Sequence, residues 1–126
     1  MFEFVFRLLV WKFNSPQIPV YSNTTSTAYP NDTAAIQNIL QGHILKPVLF
    51  KNQVENIYQA GGRIFVEFGP KDVLTNLVKD VLKGKDFTAV ALNPNARKDS
   101  DLQLRQAVVQ LQVLGLPLNE VDKYKV

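Results

Sequence analysis

The 126-residue chain has no cysteine, and only one histidine, one methionine and one tryptophan. Without cysteine there is no disulfide framework and no thiol nucleophile, a composition that fits a reducing, cytoplasmic setting. With His43 as the sole histidine there is no basis for a histidine-rich zinc site, and neither a metal nor a bound cofactor is expected. Long hydrophobic runs are missing too. The stretch from Phe2 to Phe13 is apolar but broken by Glu3, Arg7 and Lys12, and falls short of the ~20 apolar residues a membrane span needs. It has neither a basic n-region nor a small-residue cleavage site, so no signal peptide is expected. The net charge of +3 is scattered, with no basic block interleaved with aromatics, and a nucleic-acid partner is not expected. No Gly-x-Ser-x-Gly elbow occurs, and Ser15, Ser22, Ser26 and Ser100 all sit in turn or cap contexts. Gly61-Gly62 precedes an apolar run rather than following one, so there is no phosphate-cradling loop.

What is present is an ordinary globular composition, 46% hydrophobic and 20% charged, in a length that fits one domain or part of one. Phe2, Phe6, Leu9 and Phe13 recur at near-helical spacing and predict a short helix from about Glu3 to Trp11, which Asn14-Ser15-Pro16 ends. Ile18 to Tyr21 reads as a short strand, with Pro19 at its start or on an edge. A polar loop follows to Asn31. Asp32 or Thr33 can cap a helix to about His43 that carries Ile36, Ile39 and Leu40 on one face. Pro47 fits the first turn of a second helix, with Val48, Phe50, Val54, Ile57 and Tyr58 apolar and Gly61-Gly62 as its stop.

Ile64 to Phe68 is nearly continuous in apolar character, as a strand covered on both faces should be. Gly69-Pro70 reads as a tight turn, in which glycine permits a positive φ or a close approach. A helix from about Asp72 to Leu82 then ends at Gly84, and Phe87 to Leu92 forms a third strand. Strand, turn and helix make the half-unit of a parallel α/β sheet. After the polar connection Asn93 to Asp99, Ser100-Asp101-Leu102-Gln103 reads as a capping box opening a helix with Leu104, Val108 and Leu111 on its apolar face, ending at Gly115.

Few residues stand out as sites. His43 can be drawn into a triad with a serine and an acid, but any chain offers such triples, and a histidine interacting with helix-end carbonyls is the plain reading. Glu55, Glu67 and Asp72 are the one plausible carboxylate cluster, with a solvated or capping role as the plain reading. Asn23 follows a predicted strand, where open α/β sheets place their ligand crevice, and is also an ordinary turn former.

Four segments in order resemble the malonyl-CoA:acyl carrier protein acyltransferase domain of type I polyketide synthases. Phe13-Asn14-Ser15-Pro16-Gln17-Ile18-Pro19-Val20-Tyr21-Ser22-Asn23-Thr24-Thr25 is similar to the family's F-N-x-P-x-I-P-V-Y-S-N-x-T. His43-Ile44-Leu45-Lys46-Pro47-Val48-Leu49-Phe50 is similar to H-L-x-x-P-V-x-F. Gly61 through Pro70 resembles G-A-x-x-F-V-E-x-G-P, and Val73 to Val78 continues as V-L-T-x-L-V. The tail from Ala89 resembles the segment after the acyltransferase in synthases of polyunsaturated fatty acids and heterocyst glycolipids.

The resemblance implies an α/β fold: a three-stranded, mostly parallel sheet belonging to an acyltransferase core, with flanking helices and a helical C-terminal tail. It divides the chain into an atypical apolar N-terminal helix over 1–12, the C-terminal part of an acyltransferase domain over 13–92, and a linker or docking helix over 93–126. In the family an elbow serine attacks an acyl-CoA thioester, a histidine takes its proton, and the acyl group passes to the phosphopantetheine thiol of an acyl carrier protein. Neither residue can be placed here, so no catalytic side chain is assigned. One support role carries over, the backbone carbonyl at His43, which would orient the catalytic imidazole. Asn23 is a substrate-binding candidate, and Gly69 and Pro70 are structural. The expected partners are the complementary N-terminal half of an acyltransferase domain or other synthase domains, the acyl carrier protein of the complete enzyme, and a second copy of the chain. The alternative is a non-catalytic interaction module that docks on synthase components or self-associates.

Overall fold

The computed structural model describes residues 12–118, so the helix expected over Glu3 to Trp11 lies outside the described residues. The chain divides into two compact units between Gly61 and Gly62. In the first, the 310 turn His43–Leu45 links helices α1 (Thr33–Gly42) and α2 (Phe50–Gln59). The second runs β1 (Ile64–Pro70), α3 (Val73–Val81), β2 (Thr88–Asn93) and α4 (Ser100–Val113).

In the first unit Asp32 caps α1, its carboxylate accepting from the Ala35 amide at 2.7 Å. Ile36 is buried on the inner face, with Ile39 and Leu40 half-buried beside it. The strand expected over Ile18 to Tyr21 does not form. Only Tyr21 makes a bridge, antiparallel to Ala28, closed by Ser22 N donating to Thr27 O and Tyr29 N to Val20 O. Ile18 stays 73% exposed and Pro19 has no amide to donate. A strand needs a paired partner as well as β-favouring residues. Among the described residues the sheet therefore has two strands, not three. Helix α2 also starts later than Pro47 predicts. Leu49 N donates to Asn23 O at 2.7 Å, which holds Pro47 to Leu49 outside the helix and leaves Val48 exposed.

The second unit is built on a parallel pair. Ile64, Phe65, Val66 and Glu67 of β1 stand opposite Thr88, Ala89, Val90 and Ala91 of β2. Parallel neighbours require a crossover connection, and α3 supplies it. Its buried residues are Thr75 and Val78, and Leu82, just past its end, is fully buried. Helix α4 packs on the sheet through Ala107 and Leu111 against Val90, with Val66, Leu92, Leu116 and Leu118 around them. Phe65 and Phe87 meet edge to face, ring centroids 6.3 Å apart.

The expected capping box does not form, and the N-cap lies one residue earlier than Ser100. Asp99 is the N-cap, its carboxylate accepting from the Leu102 amide at 2.8 Å, while Ser100 Oγ accepts from Asn93 Nδ2. The buried stripe of α4 is Gln103, Ala107 and Leu111, with Leu104 and Val108 only half-buried. Relative to the expected Leu104 and Val108, the buried positions Gln103 and Ala107 lie one residue earlier, about 100° around the helix.

The turn after β1 also falls elsewhere. Gly69 and Pro70 are the last residues of the strand, where β1 advances from Glu67 to Pro70 while β2 advances only from Ala91 to Asn93. That extra residue is a β-bulge. Gly69 has no positive φ, and a Cβ added there would meet nothing within 4 Å. The left-handed residue is Lys71, with φ 78°, whose amide donates to Asn93 O at 2.8 Å. Gly69→Val is therefore expected to cost less than ~0.5 kcal/mol, as an unconstrained substitution does. Lys71→Val, a β-branched residue forced to positive φ, should cost about 1 kcal/mol or more. Urea melts of the two variants check the ordering, and the reverse order would place the constraint back at Gly69.

Candidate functional site

The first unit brings Asn23 and His43 into one hydrogen-bonded frame. Residues 21–26 form a loop rich in hydroxyls, which favour local side-chain to backbone bonds. Ser22 is buried, and its Oγ accepts from Thr24 N at 3.1 Å. Thr24 is buried as well, and its Oγ1 lies 2.6 Å from His43 Nδ1. Asn23 contributes its backbone carbonyl to Leu49 N. Helix α2 ties the loop down from the other side. Gln53 Nε2 donates to Tyr21 O at 3.0 Å and Asn56 Nδ2 to Ser26 O at 2.8 Å.

The loop is thus braced at four positions against residues 43 to 56. Within this frame the His43 imidazole bonds a threonine hydroxyl, not the helix-end carbonyls considered from the sequence. The His43 carbonyl accepts from Lys46 N at 3.5 Å. That is long for a hydrogen bond, so the oxygen keeps capacity for a further donor. Thr24 does not stand out in the sequence because its partner lies 19 positions away; the family-like S-N-x-T string is the one available signal.

The second unit holds the remaining candidates. Glu67 points from β1 at the start of α3. One carboxylate oxygen accepts from Leu74 N at 3.1 Å, the other from Thr75 N at 2.8 Å and Thr75 Oγ1 at 2.7 Å. A strand residue thus caps the following helix, satisfying amides that have no intrahelical partner. Burial of this carboxyl favours its neutral form. The Thr75 hydroxyl, the Thr75 amide and the Leu74 amide outweigh that effect and the nearby Asp72, so Glu67 titrates below the ordinary carboxylate value. Glu67 and Asp72 are neighbours at the head of α3. Glu55 belongs to α2 of the other unit. Among the described residues no three His, Cys, Asp or Glu side chains gather in a metal-binding group, and no helix is long and apolar enough to cross a membrane.

No protein-family profile matches the chain. Individual proteins do. A polyunsaturated fatty acid synthase polypeptide of Thraustochytrium is 44% identical over 115 residues, covering 89% of this chain and 4% of that protein. The malonyl CoA-acyl carrier protein transacylase of Salmonella typhimurium is 36% identical over 84 residues, covering 67% of this chain and 26% of that one. Among solved structures, an acyl carrier protein S-malonyltransferase from Vibrio cholerae is 33% identical and superposes with a TM-score of 0.62, over 70% of this chain and 28% of that chain. The acyltransferase domain from the second module of the salinomycin polyketide synthase reaches a TM-score of 0.77 over 87% of this chain and 25% of that chain, at 20% identity, a likeness of fold. The chain spans a small part of the curated relatives it matches, between 4% and 26% of the length of these two. From the matched segments, these relatives and the shared α/β fold, the chain belongs to the malonyl-CoA:acyl carrier protein acyltransferase family and corresponds to the C-terminal part of such a domain in polyketide and polyunsaturated-fatty-acid synthases.

Proposed function

We propose that this chain supplies the C-terminal part of an acyltransferase site that moves malonyl or a related acyl group from coenzyme A to an acyl carrier protein, and that it does not catalyse transfer alone. The observation that carries the reading is the Thr24–His43 bond at 2.6 Å inside the braced 21–26 loop. It fixes the chain around the His43 carbonyl. An oriented carbonyl is what a catalytic imidazole needs on its non-reacting nitrogen, because a hydrogen bond there selects the tautomer whose other nitrogen accepts the serine proton. The imidazole and the serine are contributed from outside these 126 residues. No elbow motif is present, and His43 is engaged with Thr24.

An interaction module is the second reading. Phe68 is 85% exposed, and Val73, Leu74 and Leu77 of α3 are also exposed, an apolar face that solitary soluble proteins rarely leave open. One experiment separates the readings. The chain is mixed with a separately produced acyltransferase segment carrying the elbow serine and histidine, and transfer of labelled malonyl to an acyl carrier protein is followed. The transferase reading expects transfer in the mixture, and no malonyl adduct by mass spectrometry on the chain alone. An adduct on the isolated chain overturns the claim of dependence. Self-association without any complementation favours the interaction module.

A further inference from the structure

The second unit has a crevice that the transfer reading does not use. It measures about 370 Å³ and is lined by Lys71, Asp72, Val73, Pro94, Asn95, Ala96 and Arg97. These residues follow the last residues of β1 and β2, so the crevice lies at the carboxyl ends of a parallel pair, where α/β sheets place ligands. We infer that it binds a phosphate-bearing organic anion through Lys71 and Arg97.

Charge gives the first reason. The lining carries two cations and one carboxylate, Asp72. Neither the Lys71 ammonium nor the Arg97 guanidinium has a hydrogen-bond or ion-pair partner among the described residues, whereas Arg105 of α4 is paired with Asp101 at 2.9 Å. An arginine fork and a lysine point charge are the two side chains suited to phosphate oxygens.

Rigidity gives the second. Gln103, buried at 4% exposure, accepts from Asn95 N at 2.8 Å and reaches Asn95 O, Lys98 O and Asp99 O through Nε2. Arg97 N donates to Asn95 Oδ1 at 2.9 Å. On the opposite wall Lys71 N is bonded to Asn93 O. Both cations are therefore carried on backbone that is already fixed, which lowers the ordering cost of binding.

The third reason decides between a helix terminus and side chains as the anion holder. Two amides of the first turn of α3, Leu74 N and Thr75 N, are occupied by Glu67, which leaves the charged side chains of Lys71 and Arg97 as the main donors lining the crevice. A crevice of about 370 Å³ exceeds the ~30 Å³ that one water occupies in the liquid, leaving room for an organic group beside the phosphate. The inference concerns the second unit alone and stands whatever the transfer reading becomes.

Amide chemical shifts of the full chain are followed on titration with pyrophosphate, adenosine 3′,5′-bisphosphate and acetate. The two phosphates are expected to saturate, with shifts confined to residues 71–73 and 94–97, and acetate to bind more weakly. Arg97→Gln and Lys71→Gln should each weaken binding about tenfold, the loss of one charge-assisted contact. Lys79→Gln, at the last turn of α3, should leave it unchanged. The organic bisphosphate binding more tightly than pyrophosphate supports an ester ligand; the reverse order limits the site to inorganic phosphate and overturns that part of the inference. Shifts that do not saturate, an acetate response equal to the phosphates, or unchanged affinity in Arg97→Gln would sink the site altogether.

Discussion

Replacing Gln103 by alanine is expected to destabilise the second unit by about 2–3 kcal/mol, a large effect for a residue with no charge. Gln103 sits on the inner stripe of α4 with Ala107 and Leu111. Its Oε1 accepts from Asn95 N at 2.8 Å. Its Nε2 lies 3.0 to 3.2 Å from Asn93 Oδ1, Asn95 O, Lys98 O and Asp99 O. A carboxamide has only two N–H bonds for these four acceptors, so some are shared, and the bonds do not add as four. The cost of truncation comes chiefly from what is stranded. The Asn95 amide and the Asn93 carboxamide lose a partner in a part-buried place, at about 1–3 kcal/mol per unsatisfied group, and a small cavity opens. Gln103→Leu separates these two contributions. It refills the volume but restores no hydrogen bond, so it should be nearly as unstable as alanine. Urea melts read the midpoint, and hydrogen exchange reads protection of the Asn95 and Leu102 amides. A midpoint shift below ~0.5 kcal/mol in both variants would mean that water replaces the carboxamide without loss.

Gln103 also shows where sequence reading stops. The string from Ser100 to Gln103 predicts a capping box because serine and glutamine stand at the required spacing. The actual cap is Asp99, one residue earlier, and both oxygen-bearing residues are good caps. Local chemistry could not choose between them. The choice is made by the loop that Gln103 gathers when it turns inward. Thr24 follows the same pattern. A threonine in a polar loop predicts a local turn bond, and its observed partner is His43.

The parts that were legible are those whose cause is local. The apolar run and helix-period stripe from Ile64 to Leu82, with the second run Phe87 to Leu92, predict β1, the crossover helix and β2, and the strands stand as a parallel pair with α3 between them in the chain. Asp32, one of the two expected candidates, caps α1, because an N-cap needs only three following residues. The expected strand over Ile18 to Tyr21 failed for the opposite reason. Its identity depends on a neighbour elsewhere, and among the described residues only Ala28 pairs with Tyr21. Four family-like segments located the fold without a catalytic group, since the resemblance lies in residues that shape a loop and cap a helix.

Glu67 makes that last point measurable. Glu67→Gln is expected to cost about 1–2 kcal/mol at pH 7, the range for losing a helix cap. The carboxylate accepts from two amides and one hydroxyl. Glutamine retains one acceptor oxygen and turns an NH2 group toward at least one of those donors. The pH dependence distinguishes this from a packing effect. Burial raises the Glu67 pKa, but the Thr75 and Leu74 hydrogen bonds lower it further, so the folded value lies below the unfolded one, near 4.5. A group depressed on folding stabilises fully above its unfolded pKa and loses that contribution as pH falls through the folded pKa. The stability gap between wild type and Glu67→Gln should therefore be constant from pH 7 down to about pH 5, then narrow as the pH drops below 4.5 and Glu67 takes up its proton. Denaturant melts at pH 7 and pH 3 test this. A gap that stays equal at both values would assign the effect to shape, leaving the carboxylate charge without a part in holding α3 to β1.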